Sequence, residues 1–176
     1  MNPSTLKIEQ IYTGCIAEAA YYITCNGEAA IVDPLRETQP YLDRLQRDGV
    51  QLKYIFETHF HADFVSGHID LAKKTGAKIV FGPTAAPGYE AYVATDDEVF
   101  QLGDVKIKVL HTPGHTMEST TFLLIDENGK EHSIFTAKTV HRNLTELERF
   151  FDIELSEKID IIVYNKFSDF KQSNIG

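Results

Sequence analysis

The sequence predicts a mixed α/β (α+β) domain in which sheet layers are covered by helices. Three observations carry that prediction. Short β-favouring runs are punctuated by Asn26-Gly27, Gly103-Asp104 and Asn128-Gly129 turns. Two helical segments lie between strands, and each ends on a glycine, Gly49 and Gly76. The chain has 176 residues, 43% apolar and 24% charged, which is enough for one core and too little for two full domains.

The elements follow in order. Leu6–Tyr12 alternates imperfectly between apolar and polar residues, as an outer strand does. Ala19–Thr24 and Glu28–Val32 flank Asn26-Gly27, a type I′ hairpin signal, and Asp33-Pro34 ends the second strand because Pro34 has no N–H. Thr38 is placed to cap a helix running to Asp48, with Tyr41, Leu42 and Leu45 as its apolar stripe. Leu52–Glu57 reads as a buried strand leading directly into Thr58-His59-Phe60-His61. A second helix is expected over Ser66–Thr75, then a short strand over Lys78–Phe81 and a loop bracketed by Gly82-Pro83 and Pro87-Gly88. Glu98–Leu102 and Val105–Leu110 form a hairpin, and Thr120–Ile125 and His132–Thr136 are further strands. Beyond Ala137 the character shifts: a helix is expected from Asn143 through Phe151, a strand over Lys158–Tyr164, and a fraying end.

Charge and cysteine usage narrow the class. A net charge of −9, from 17 basic and 26 acidic side chains, argues against a protein that tracks nucleic-acid phosphates. No apolar run approaches the roughly 20 residues that span a bilayer. The start, Met1 to Lys7, lacks the pattern of a secretion signal, and two cysteines, Cys15 and Cys25, make neither a disulfide framework nor a Cys-rich zinc site. A cytoplasmic protein is expected.

Seven histidines against two cysteines direct attention to imidazole chemistry. In Thr58-His59-Phe60-His61-Ala62-Asp63 two histidines stand two residues apart, just past a buried strand, with a carboxylate two residues on. In a continuing strand the two rings would face opposite sides, so both can ligate one ion only if the chain bends. Imidazole and carboxylate together suit Zn and non-haem Fe. A polar surface loop would read the same way in isolation. In Thr112-Pro113-Gly114-His115-Thr116 a rigid turn presents His115 at a strand end, which also fits an ordinary Pro-Gly turn.

Together, the two motifs resemble the metallo-β-lactamase superfamily. The resemblance covers Leu6 to about Thr136. It implies an αββα sandwich with the metal at the edge between two sheets. Thr58 to His68 and Thr112 to Ser119, with Glu118-Ser119 after the second motif, look like the persulfide dioxygenase branch, which includes chains that continue into rhodanese domains. The glyoxalase II branch is similar but usually has His where this chain has Phe64. Phe64 cannot ligate, so one metal ion is favoured over two.

The resemblance implies His59 and His115 as metal ligands, with His61 and Asp63 as catalytic, proton-handling groups beside them. It implies Fe(II) as cofactor, with Zn as the alternative. The substrate implied is a small thiol or persulfide of the glutathione type, oxidised to sulfite and glutathione, with a rhodanese as partner. A zinc-dependent thioester hydrolase of the glyoxalase II kind is the alternative activity, and a catalytically dead fold remnant or interaction module is the other. His68 reads as structural, His111 as a strand cap, and Cys15 as a small buried residue, while His132 and His141 have no motif context.

The resemblance stops at Thr136-Ala137-Lys138-Thr139, where the family carries Thr-Gly-Asp-Thr and its third ligand. An ammonium at Lys138 cannot take a carboxylate's place beside a cation. The expected division is therefore residues 1–137 as the metallo-β-lactamase-like domain and 138–176 as an atypical helix–strand tail. Three readings are open: a foreign or fused tail on a C-terminally incomplete domain, a degenerate homologue without activity, or completion of the site by His141 or Asp63. A sandwich lacking its second half would leave apolar sheet uncovered, which predicts poor solubility or a homodimer.

Overall fold

The computed structural model of the chain describes residues 6–13 and 18–129. Cys15, Lys138, His132, His141 and the tail expected after Ala137 all lie outside the described residues.

The N-terminal meander forms as its turns dictate. Strands β1 (Lys7–Thr13), β2 (Glu18–Cys25) and β3 (Glu28–Val32) pair antiparallel in sequence order. Asn26 and Gly27 both take positive φ, 46° and 82°, the requirement of a type I′ turn. From β3 the chain crosses through helix α1 (Gln39–Asp48) into β4 (Gln51–Glu57), which runs parallel to β3. Helix α2 (His68–Thr75) makes the second crossover, into β5 (Lys78–Phe81), parallel to β4. Both helices end on the expected glycines in the left-handed conformation, which a residue with Cβ adopts only at a cost.

A two-residue strand that the sequence pattern did not reveal, β6 (Tyr92–Val93), completes a six-stranded sheet of order β1-β2-β3-β4-β5-β6. A second sheet contains β7 (Val99–Leu102), β8 (Val105–His111) and β9 (Thr120–Ile125), paired antiparallel in that order.

The pleat distributes the core between two layers of contact. Tyr22, Ala29, Ile31, Leu52 and Ile55 face α1 and α2, meeting Tyr41, Leu45 and Leu71. Ile23, Ala30, Val32, Phe56 and Val80 point the other way and meet Phe100, Leu102, Val105, Ile107, Val109 and Leu124 of the second sheet. Strands β3 and β4 are therefore buried on both faces, which is why they read as near-continuous apolar runs. Aromatic edges lock this second core: the Phe56 ring lies 5.5 Å from Phe100 and 4.7 Å from Phe122. The described residues thus form the helix, sheet and sheet layers of a metallo-β-lactamase sandwich.

One expected cap bond is absent and one expected helix start shifts. Thr38 occupies the N-cap position of α1, but its hydroxyl makes no capping bond; it accepts from Lys74 Nζ at 2.6 Å instead. Helix α2 begins at His68 rather than Ser66, with Gly67 as N-cap. A side chain at Gly67 would collide with the Leu35 carbonyl oxygen, and Ser66 is diverted into the buried cluster described below. Ser66 Oγ still accepts from His68 N–H at 3.3 Å.

Candidate metal centre

Parallel strands β3, β4 and β5 end on the same side of the sheet, where crevices of such sheets form. Asp33 follows β3, Thr58 to His61 follow β4, and Gly82 follows β5. The β8–β9 turn, Thr112 to Ser119, comes from the other sheet and brings His115. Thr120 N–H donates to the Thr58 carbonyl at 2.9 Å, joining the two sheets at this edge. Any side chain at Gly82 would occupy the space of Thr120, so that close approach needs glycine.

The chain does bend after β4, and the three motif histidines converge. The His59 and His61 ring centroids are 4.2 Å apart, and those of His59 and His115 are 4.9 Å apart at 85°. Hydrogen bonding assigns the free nitrogen of His59. The Thr58 hydroxyl donates to Asp33 Oδ2 at 2.7 Å, using its one hydrogen, so Thr58 Oγ1 accepts from His59 Nδ1 at 2.8 Å. The Nε2 lone pair of His59 is left for a ligand. Burial, followed by the neighbouring His61, pushes the His59 pKa down, which keeps the ring neutral.

His61 is oriented from behind by carboxylates. Its Nε2 lies 3.0 Å from Asp33 Oδ1 and 3.9 Å from Glu57 Oε2. Nε2 is buried and the contact is not aligned as a hydrogen bond, so the attraction is electrostatic. The opposite nitrogen, Nδ1, faces Asp63 Oδ1 at 4.0 Å. The Phe64 ring packs against His61, 4.3 Å between centroids, filling the next position with a side chain that cannot ligate.

Asp33 holds this edge together. It takes φ +48°, an uncommon conformation that aspartate tolerates better than most residues. Its Oδ1 accepts from Thr58 N–H at 2.8 Å, in addition to the Thr58 hydroxyl bond on Oδ2. The sequence carries one signal for it, an Asp-Pro closing an apolar strand, which by itself points only to a strand end.

Glu57, fully buried at the end of β4, is the second residue the sequence reading missed. Ser66 Oγ stands 3.0 Å from the Pro34 carbonyl and 2.8 Å from Glu57 Oε1. Ser66 Oγ donates to Glu57 Oε1. Burial, reinforced by the Asp33 charge, raises the Glu57 pKa well above the usual range, against the lowering effect of the Ser66 bond. Glu18 lies nearby and is raised to about 7 by burial first and the Asp33 charge second.

The remaining candidates separate clearly. Asp63 is exposed at the mouth, beside His61. His68 is buried behind the site; its Nε2 bonds the Tyr89 hydroxyl at 2.7 Å, and burial lowers its pKa, consistent with a structural role. His111 ends β8, and its backbone N–H donates to Asp96 Oδ1 at 2.8 Å. Phe60, Val65 and Met117 are exposed on the loops that carry the histidines and their neighbours.

Among the described residues, the donor atoms that lie within 4.8 Å of one another are those of Asp33, Glu57 and His61. The His59 ring lies beside His61 and His115, so imidazole and carboxylate gather at this edge, a composition that suits Zn or Fe.

Comparison with known proteins places this architecture. Residues 13–129 match the family profile of the Metallo-beta-lactamase superfamily. A probable hydroxyacylglutathione hydrolase of Schizosaccharomyces pombe is 33% identical over 135 residues, covering 74% of this chain and 52% of the relative. A hydroxyacylglutathione hydrolase of Pelagibacter ubique is 29% identical over 136 residues, covering 76% of this chain and 52% of the relative. The chain spans about half the length of these curated relatives. Among solved structures, a metallo-beta-lactamase from Staphylococcus aureus is similar with a TM-score of 0.65 and 36% identity, over 72% of this chain and 40% of that one. ETHE1 from Myxococcus xanthus is similar with a TM-score of 0.62 and 26% identity, over 67% of this chain and 53% of that one. In sequence and in fold, the chain belongs to the metallo-beta-lactamase superfamily.

Proposed function

We propose that this chain is the metal-binding part of a thioester hydrolase acting on a glutathione thioester, with His59, His61 and His115 as ligands. The observation that carries the reading is the His59 ring lying against both His61 and His115 where the end of β4 and the β8–β9 turn meet. The substrate class rests on the hydroxyacylglutathione hydrolases among its relatives. In this reading His61 joins the ligand set through Nδ1, which lies 4.0 Å from the exposed Asp63 carboxylate.

A bound ion supplies Lewis acidity toward the thioester carbonyl. The chain's own residues do the rest. Thr58 and Asp33 hold the His59 and His61 rings in one orientation each. Asp63, exposed beside them, accepts the proton of the attacking water. Phe60, Val65 and Met117 offer apolar surface for the acyl and thiol portions of a substrate.

A second reading, oxidation of glutathione persulfide at a single Fe(II), is favoured by Phe64, which removes a second-metal ligand, and by the likeness to ETHE1. Metal analysis after anaerobic purification separates the two. Zinc with hydrolysis of S-lactoylglutathione supports the first. Iron with O₂ uptake on glutathione persulfide replaces it with the second, and a chain that retains neither metal overturns both.

A further inference from the structure

Two bonds bracket His59 and tie it to the loop that carries His115. One is between backbones: Thr120 N–H donates to the Thr58 carbonyl at 2.9 Å. The other replaces a backbone acceptor with a side chain: Phe60 N–H donates to Glu118 Oε1 at 3.2 Å. Past Thr58 the chain bends to bring its histidines together, so no strand carbonyl reaches Phe60 N–H, and Glu118 reaches it from the facing loop. That loop is internally braced. Thr112 N–H donates to the Ser119 carbonyl at 2.9 Å, and Thr116 N–H donates to Ser119 Oγ at 3.0 Å. Thr120 Oγ1 donates to the Glu118 carbonyl at 3.0 Å, fixing the backbone from which the Glu118 side chain departs.

A rigid turn held to the β4 loop at two points flanking His59 has one geometric consequence: the His59–His115 separation is set before any ion arrives. We infer that Glu118 is a positioning residue, a clamp whose hydrogen bond to Phe60 N–H sets the spacing of His59 and His115 for a metal ion. Glu118 touches neither substrate nor metal in this role. It acts by reach, through a bond that any acceptor of the same length makes, rather than by its charge.

The inference rests on the metal reading above, and its test separates the two. Glu118→Gln keeps the reach and an acceptor oxygen but removes the charge; Glu118→Asp keeps the charge but is too short. Zn(II) affinity of the full chain is measured by competition with a chromophoric chelator, and Co(II) absorption reports the ligand geometry. E118D is expected to bind Zn(II) at least about tenfold more weakly, with a shifted Co(II) band, while E118Q stays within about threefold of the parent. Melting of the metal-free chain, followed in chelator, shows whether a variant is only destabilised, which lowers the melting temperature without moving Zn(II) affinity. A tenfold or greater loss in E118Q overturns the clamp whatever E118D does, and so does E118D binding as tightly as the parent. A parent chain that binds no Zn(II) or Co(II) overturns the metal reading and the clamp with it.

Discussion

His61 Nε2 stands 3.0 Å from Asp33 Oδ1, in a buried contact between the carboxyl ends of two adjacent parallel strands. The same carboxylate receives two bonds from Thr58. Removing it releases one ring directly and a second through Thr58. Asp33→Ala is expected to weaken metal binding by about 10- to 100-fold and to destabilise the chain by about 1–3 kcal/mol, since the Thr58 N–H loses its acceptor. Asp33→Asn, which tolerates positive φ and keeps an acceptor for Thr58 N–H, is expected to be milder in both. Chelator competition and denaturant unfolding of the two variants check the order.

Phe64 packs against His61, 4.3 Å between ring centroids, and offers no donor atom. One metal ion per chain is the expected stoichiometry, measured by elemental analysis of protein dialysed against excess Zn(II). His59→Ala and His115→Ala are each expected to bring retained metal close to zero. Asp63→Ala should keep the metal and lose activity, because its carboxylate stands beside the ligands rather than orienting them.

The buried carboxylates predict a distinctive pH response. Glu18 has its folded pKa raised to about 7, against an ordinary value of 4.5. Between those values the folded chain binds the proton more tightly than the unfolded chain, so stability falls as pH rises through that window. The neutral isostere Glu18→Gln lacks this loss. Its advantage over the parent should grow from about pH 4.5 to about pH 7 and then level off. A full conversion of the shift gives about 3 kcal/mol; water reaching the half-enclosed group screens this to about 1–2 kcal/mol. Urea unfolding of the metal-free chain across pH 4.5–8 measures it.

Gly82→Ala places a methyl group in the volume of the Thr120 side chain. The crowding is expected to cost about 1–3 kcal/mol. It should also weaken metal binding, because Thr120 anchors the His115 loop to Thr58. A variant as stable as the parent and with the same Zn(II) affinity would show that this edge relaxes freely.

What the sequence determined by itself was the local grammar and the two histidine motifs that the fold brings to one edge. The Asn26-Gly27 turn, the glycine stops of both helices, the buried strand before Thr58-His59-Phe60-His61 and the rigid Pro113-Gly114 turn all follow from short-range φ preferences and apolar periodicity. Those signals span a few residues, so they survive in any window that contains them. The short strand β6 escaped notice because two residues carry no period, and the cap bond expected at Thr38 is absent, its hydroxyl meeting Lys74 from the second helix instead. Only the tertiary structure decided how the donors are held. Asp33, Glu57 and Glu118 act on residues far from them in the chain, through contacts made where strand ends from two sheets meet. Such contacts have no sequence spacing of their own; they are set by which strands pair, in which register, and by the bend that brings His59 against both His61 and His115.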